Sequence, residues 1–169
     1  DARSAAYPFE SVYTSEKRLL MQAARDEILR IYREGGLEVQ PSWVDPEDHV
    51  ALELAYMQIM ARRAREALLA RDDAQALRLL DDQRRFLLRH LVSWTPLLVK
   101  DMERLAQTDL YQGLALLTKG MLAEDRAFLS DVVASDGEDE DDPEAVDETG
   151  GMADAAATVG AQAPLLWLG

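Results

Sequence analysis

The chain has 169 residues, and its 18 Lys and Arg against 32 Asp and Glu give a net charge of −14, the wrong sign for nucleic-acid phosphates or an anionic lipid surface. It has no cysteine and is 48% hydrophobic, which excludes a disulfide framework, a thiolate nucleophile and a Cys-ligated metal, and argues against disorder over most of its length. No apolar run reaches the roughly 18 residues of a membrane span, and the opening Asp1-Ala2-Arg3-Ser4-Ala5-Ala6 has no apolar leader core, so one soluble cytoplasmic domain is expected.

In chain order, Ser15 is placed to cap a first helix whose apolar positions Leu20, Ala24, Ile28, Ile31 and Tyr32 recur at three and four until Gly35-Gly36 stops it. Leu37 to Val44, with Pro41 and Trp43, has no period and reads as a loop. Asp45-Pro46 then offers an N-cap followed by proline at the first helical position, opening a second, long helix to about Arg71 with Val50, Leu54, Met57, Met60 (or Ala61), Ala64 and Leu68 along one side. Asp72-Asp73 breaks it and caps a third, to about Leu91, with Leu77, Leu80, Arg84, Leu87 and Leu91 near one face. Thr95-Pro96 repeats the cap-then-proline pattern for a fourth, to about Gln107. A fifth follows Thr108-Asp109 with Leu110, Leu114, Leu117, Met121, Leu122, Phe128 and Leu129, and its Gly113 and Gly120 permit close helix crossings. No stretch alternates long enough for a strand and no repeat is present. The expected fold is all-α: a compact bundle of about five helices over residues 1–134.

From Ser130 to Gly169 there are eleven acids and no Lys or Arg, so the 18 basic residues and the other 21 acids leave the rest of the chain at −3. Glu138 to Asp142 repels itself and the Gly-, Ala- and Asp-rich stretch after it has no helical stripe, so residues 135–169 read as a disordered acidic tail. Its apolar end, Pro164-Leu165-Leu166-Trp167-Leu168, fits a docking peptide, a self-contact on the bundle or a frayed terminus, and the sequence alone does not choose among them.

The residues that carry chemistry are few. There are two histidines, too few for a His-Asp metal phosphohydrolase, and no His-Glu-x-x-His pair is present. His90, on a leucine-rich helix, reads as a packed or hydrogen-bonded core histidine. Asp48 and His49 come just after a cap, where a carboxylate interacts well with the helix dipole. No glycine-rich phosphate loop and no nucleophile elbow occurs, because Gly35-Gly36 ends a helix rather than opening one after a strand. Neither an enzyme nor a cofactor is indicated, and the residues on their own describe a helical binding or scaffold module.

Tyr7-Pro8-Phe9-Glu10-Ser11-Val12-Tyr13 together with Asp45-Pro46-Glu47-Asp48-His49-Val50 and its continuation Glu53-Leu54-Ala55-Tyr56-Met57 resembles the TorD/DmsD family of molybdoenzyme maturation chaperones. The family's signature has Glu where Asp45 stands and usually Phe where Tyr56 stands, and both changes keep the chemical type. Phe86 to Leu97 is similar to the family's His-Leu-x-x-Trp-x-Pro stretch, and the likeness covers about Tyr7 to Leu129. The resemblance implies a cytoplasmic, all-helical, non-enzymatic chaperone. Its partner would be the catalytic subunit of a molybdopterin-dependent oxidoreductase, or the subunit's twin-arginine signal peptide, held until cofactor insertion is complete and before export. It further implies that Asp45, Pro46, Asp48 and His49 lie at a hinge linked to peptide contact and to weak guanine-nucleotide binding. The family usually carries a further N-terminal helical portion before the Tyr-Pro-Phe-Glu-Ser stretch, so this chain resembles the C-terminal part, for which a homodimer by helix exchange is conceivable.

A peptide with paired arginines and an apolar segment needs a groove with apolar walls and an anionic rim. Glu47, Asp48 and Glu53 are the candidate rim acids, with Tyr13, Trp43, Tyr56 and Trp94 as candidate walls. The expected peptide site is therefore Asp45, Pro46, Glu47, Asp48, His49, Glu53 and Tyr56. The alternative is a non-catalytic helical assembly or scaffold subunit in which the motif is only a cap.

Overall fold

The computed structural model describes residues 5–136 and 165–166 of the chain. Among the described residues six α-helices run α1 Glu10–Thr14, α2 Ala23–Glu34, α3 Val50–Leu69, α4 Asp73–Phe86, α5 Thr95–Leu105 and α6 Asp109–Asp136, with a π-turn at Leu87–Leu91 and two short strands, β1 Glu38–Val39 and β2 Leu165–Leu166. The all-α architecture is as the periodicity predicts. Apart from Leu165 and Leu166, the expected acidic tail beyond Asp136 lies outside the described residues.

Two helix starts differ from expectation, for one physical reason each. Ser15 ends α1 instead of opening a helix, and its Oγ accepts from the Leu19 amide at 3.0 Å. Arg18 and Met21 take the left-handed conformation with φ of 50° and 58°, which an α-helix does not pass through, and Leu19, Leu20 and Met21 are exposed, so no buried stripe offsets the break. Asp45-Pro46 is loop, and α3 begins at Val50 with His49 as its N-cap. Here tertiary bonding overrides the local pattern. The Glu10 amide donates to Asp48 O at 3.0 Å and the Val50 amide to Pro8 O at 2.9 Å, an antiparallel bridge between Phe9 and His49 that holds the backbone extended where a helix would otherwise have begun.

Elsewhere the punctuation works as read except at α5, where Thr95, expected as the cap, is the first helical residue and the N-cap position falls on Trp94 without a side-chain bond. Gly36, at φ 65°, lets the Leu37 amide reach back to Tyr32 O at 2.8 Å and close α2. Asp72 caps α4 by accepting from the Gln75 amide at 2.9 Å. Pro96 sits in the first turn of α5, where a missing N–H costs nothing. The core joins Ile28 and Tyr32 of α2, Leu52, Tyr56 and Met60 of α3, Phe86 of α4, Leu87 and Leu91 of the π-turn, and Leu122 and Leu129 of α6. The π-turn widens the coil so that Leu87, His90 and Leu91 all turn inward. Gly113 and Gly120 do not mark close crossings, since nothing approaches the position of a Cβ at either.

Candidate functional site

Asp48 anchors the site, but from inside. It is fully buried, its Oδ2 accepts from the Ser11 amide at 2.8 Å, and its backbone O takes the Glu10 amide. The Tyr7–Thr14 strap is thereby fastened to the start of α3. Beside it, Glu10 Oε2 lies 3.0 Å from His90 Nδ1, and Glu53 Oε2 accepts from the Trp94 indole at 3.2 Å. Trp94 Nε1 also donates to His90 O. Glu10, Asp48, Glu53 and His90 form a buried polar cluster joining α1, the turn before α3, α3 and the π-turn. Burial pushes the Glu53 carboxyl well above its ordinary value, and the nearby Glu10 charge adds to this while the Trp94 hydrogen bond opposes it. Burial also raises Glu10, against the hydrogen bond and charge of His90.

His49 is half-buried, and its Nδ1 accepts from the Ala51 amide at 3.0 Å. Its ring meets the edges of Phe9 and Trp43 at centroid distances of 5.1 and 5.3 Å. Burial lowers its pKa, opposed by the Asp45 and Asp48 charges. It stands at the lip of a groove of about 830 Å³ walled by Leu54 of α3, Leu98, Met102 and Leu105 of α5, and Tyr111 and Leu114 of α6, with the strap's Pro8 and the preceding Ala5 and Ala6 along one edge.

The seven residues singled out in the sequence therefore divide. His49 reaches the groove; Asp45 is exposed on the loop before it, Pro46 is half-buried, and half-buried Glu47 is paired with Arg25. Asp48 and Glu53 are interior rather than on a rim, because each has a hydrogen-bond donor waiting inside the fold. Tyr56 is buried against Phe86, ring centroids 4.2 Å apart, and touches a different cavity of about 530 Å³ rimmed by paired arginines and acids. Of the aromatics expected as groove walls, Trp94 is buried and Tyr13 stacks on it at 5.6 Å, so both belong to the packing. No charged side chain lines the groove, which corrects the anionic rim.

Sequence reasoning missed the α5 and α6 walls and the part played by Glu10. For Glu10 the Tyr-Pro-Phe-Glu-Ser stretch was the available signal. For the walls it was that α6 carries more apolar residues than one buried face can use. Among the described residues no cluster of His, Asp and Glu has the arrangement of a metal site, and no helix is long and apolar enough to cross a membrane.

Residues 1–100 match the family described as nitrate reductase delta subunit. The chain belongs to this family. It is also similar to proteins named chaperone protein TorD, at 27% identity over 130 residues in Vibrio cholerae, covering 77% of this chain and 57% of the relative. The figures are 26% over 124 residues, 73% and 56%, for Vibrio parahaemolyticus, and 25% over 127 residues, 75% and 57%, for Photobacterium profundum. The chain thus spans somewhat over half the length of these relatives. No solved structure matches it significantly. The TorD/DmsD resemblance read from the sequence stands. The nitrate reductase delta subunit match takes in Glu10, Asp48, Glu53 and His90 and stops inside α5, so the buried cluster lies within it while the α6 wall of the groove lies beyond it.

Proposed function

We propose that this chain is a maturation chaperone: a non-catalytic, cytoplasmic protein that holds the catalytic subunit of a molybdopterin-dependent oxidoreductase, or that subunit's twin-arginine leader peptide, until cofactor insertion is complete. The observation that carries the reading is the uncharged apolar groove between α3, α5 and α6 with His49 at its lip, in a chain whose relatives are named TorD chaperones. An amphipathic peptide helix buries its stripe in such a groove. Of the turn before α3 only His49 reaches the groove. Asp45, Pro46 and Glu47 lie on the loop leading into it, outside the lining, where an arginine flanking the peptide's apolar stripe meets exposed Asp45 while Glu47 stays paired with Arg25. Asp48 acts indirectly, by fastening the strap to the turn that carries His49, whereas Glu53 and Tyr56 belong to the interior packing. Affinity then comes mainly from the apolar walls, since an exposed ion pair contributes under about 1 kcal/mol.

Calorimetric titration of the leader peptide into the full chain is the test. Saturable binding is expected, weakened about tenfold by Leu114→Asp with Tm moved by less than about 2 °C, because Leu114 is an exposed wall residue. Absence of binding by the unaltered chain overturns the proposal. The second reading, a helical assembly subunit in which the Asp-His motif is only a brace, draws on the burial of Asp48. It predicts that Leu114→Asp leaves partner binding unaltered.

A further inference from the structure

β1 is a strand of two residues in a molecule otherwise built from helices. It is nonetheless firmly placed. Leu37, just before it, is buried, and its amide is bonded to Tyr32 O at 2.8 Å. Val39 packs against the core, and after it the Trp43 amide returns to Gln40 O at 2.9 Å. Its partner comes from the far end of the chain: β2 runs parallel to it with Glu38 opposite Leu165 and Val39 opposite Leu166, and also approaches α3. Between the bundle and β2, residues 137–164 contain nine acids and no Lys or Arg.

We propose that the edge of β1 beside α3 is an acceptor for an extended peptide strand, and that the chain's own Leu165–Leu166 pair occupies it in cis as an internal competitor. Strand addition takes its affinity from main-chain hydrogen bonds, which read backbone shape rather than side-chain identity, so an edge that accepts one extended apolar segment accepts another of like form. A two-residue pair is weak by itself. What keeps it formed is the tether, which presents the segment at an effective concentration on the order of millimolar. A contact of only two residue pairs is weak enough to be displaced. The displacing partner is an extended, apolar, uncharged stretch like Ala-Pro-Leu-Leu-Trp-Leu; that it belongs to the client enzyme rests on the chaperone reading above, whereas the cis contact does not.

The test uses the full chain and a double variant, Leu165→Pro with Leu166→Pro, which removes two backbone donors from β2. Amide hydrogen exchange over residues 37–40 is expected to speed up about tenfold or more in the variant, with α3 unchanged. A synthetic peptide of sequence Ala-Pro-Leu-Leu-Trp-Leu-Gly is expected to bind the variant and to bind the unaltered chain about tenfold more weakly. Equal exchange in both proteins, or equal or no peptide binding, overturns the proposal. So does protection of residues 37–40 that grows with protein concentration, which would place the segment on a second copy. Leader binding in the α3–α5–α6 groove is read separately through Leu114→Asp, so either proposal can fail without the other.

Discussion

Glu53 shows how much one side chain's surroundings decide. A carboxyl in Glu-Leu-Ala-Tyr-Met looks like a helix-surface acid, and nothing in its neighbourhood along the chain says otherwise, because its partner Trp94 is 41 residues away. The same holds for Asp48 and the Ser11 amide, 37 residues apart. Long-range pairing of this kind is not encoded in local spacing, and for that reason both acids read as rim residues. The burial has a consequence for pH. Glu53 is raised well above its ordinary 4.5, so between 4.5 and the folded value the unfolded chain has lost a proton that the folded chain retains. Its contribution to stability is fully present below 4.5 and is lost as pH rises through the folded value. Glu53→Gln keeps an acceptor for the Trp94 indole and removes the ionisation. Thermal melts from pH 5 to 8 should show a flatter profile for Glu53→Gln and a stability at pH 8 higher by about 1 kcal/mol. Glu53→Ala, which opens a cavity beside Trp94, should lose about 2 kcal/mol throughout.

At the scale of elements, helix boundaries set by local bonds were more legible than the one set by a distant segment. Gly36 and Asp72 act through local backbone geometry and local hydrogen bonds, which sequence spacing captures. The beginning of α3 is set by a strap about 40 residues earlier in the chain, and its cap passes from Asp45 to His49, whose Nδ1 accepts the Ala51 amide. A histidine caps only while that nitrogen is unprotonated. Its pKa is lowered from 6.5 by burial, so its stabilisation is complete above 6.5 and is lost as pH falls from there toward the folded value. His49→Asn supplies a side-chain oxygen with no titration. Urea unfolding should show His49→Asn free of the part of the acid-side loss below pH 6.5 that belongs to this residue. His49→Ala should be weaker than the unaltered chain by about 1 kcal/mol at pH 7.5; equal stability of all three at that pH would remove His49 from the cap.

Across the whole molecule, periodicity showed which residues share a face but not whether that face is covered. In α6 the apolar positions Leu110, Leu114, Leu117, Met121, Leu122, Phe128 and Leu129 read as one set, yet only Leu122 and Leu129 are buried and the other five are exposed. The residues that meet the bundle are Ala115, Leu122 and Leu129, seven apart along a neighbouring line of the same helix. Two apolar lines on one helix mean one for the fold and one left over, and the surplus line supplies the α6 wall of the groove through Leu114 and its neighbour Tyr111. The distinction is measurable as stability. Leu117 is 66% exposed and Leu98 4%, so removing each side chain tests which surface the fold depends on. Leu117→Lys should change the unfolding free energy by less than about 0.5 kcal/mol, whereas Leu98→Ala should cost about 2–4 kcal/mol. A Leu117→Lys penalty near that of Leu98 would mean that the outer line of α6 is covered in solution, and the groove it borders would then not be free to receive a peptide.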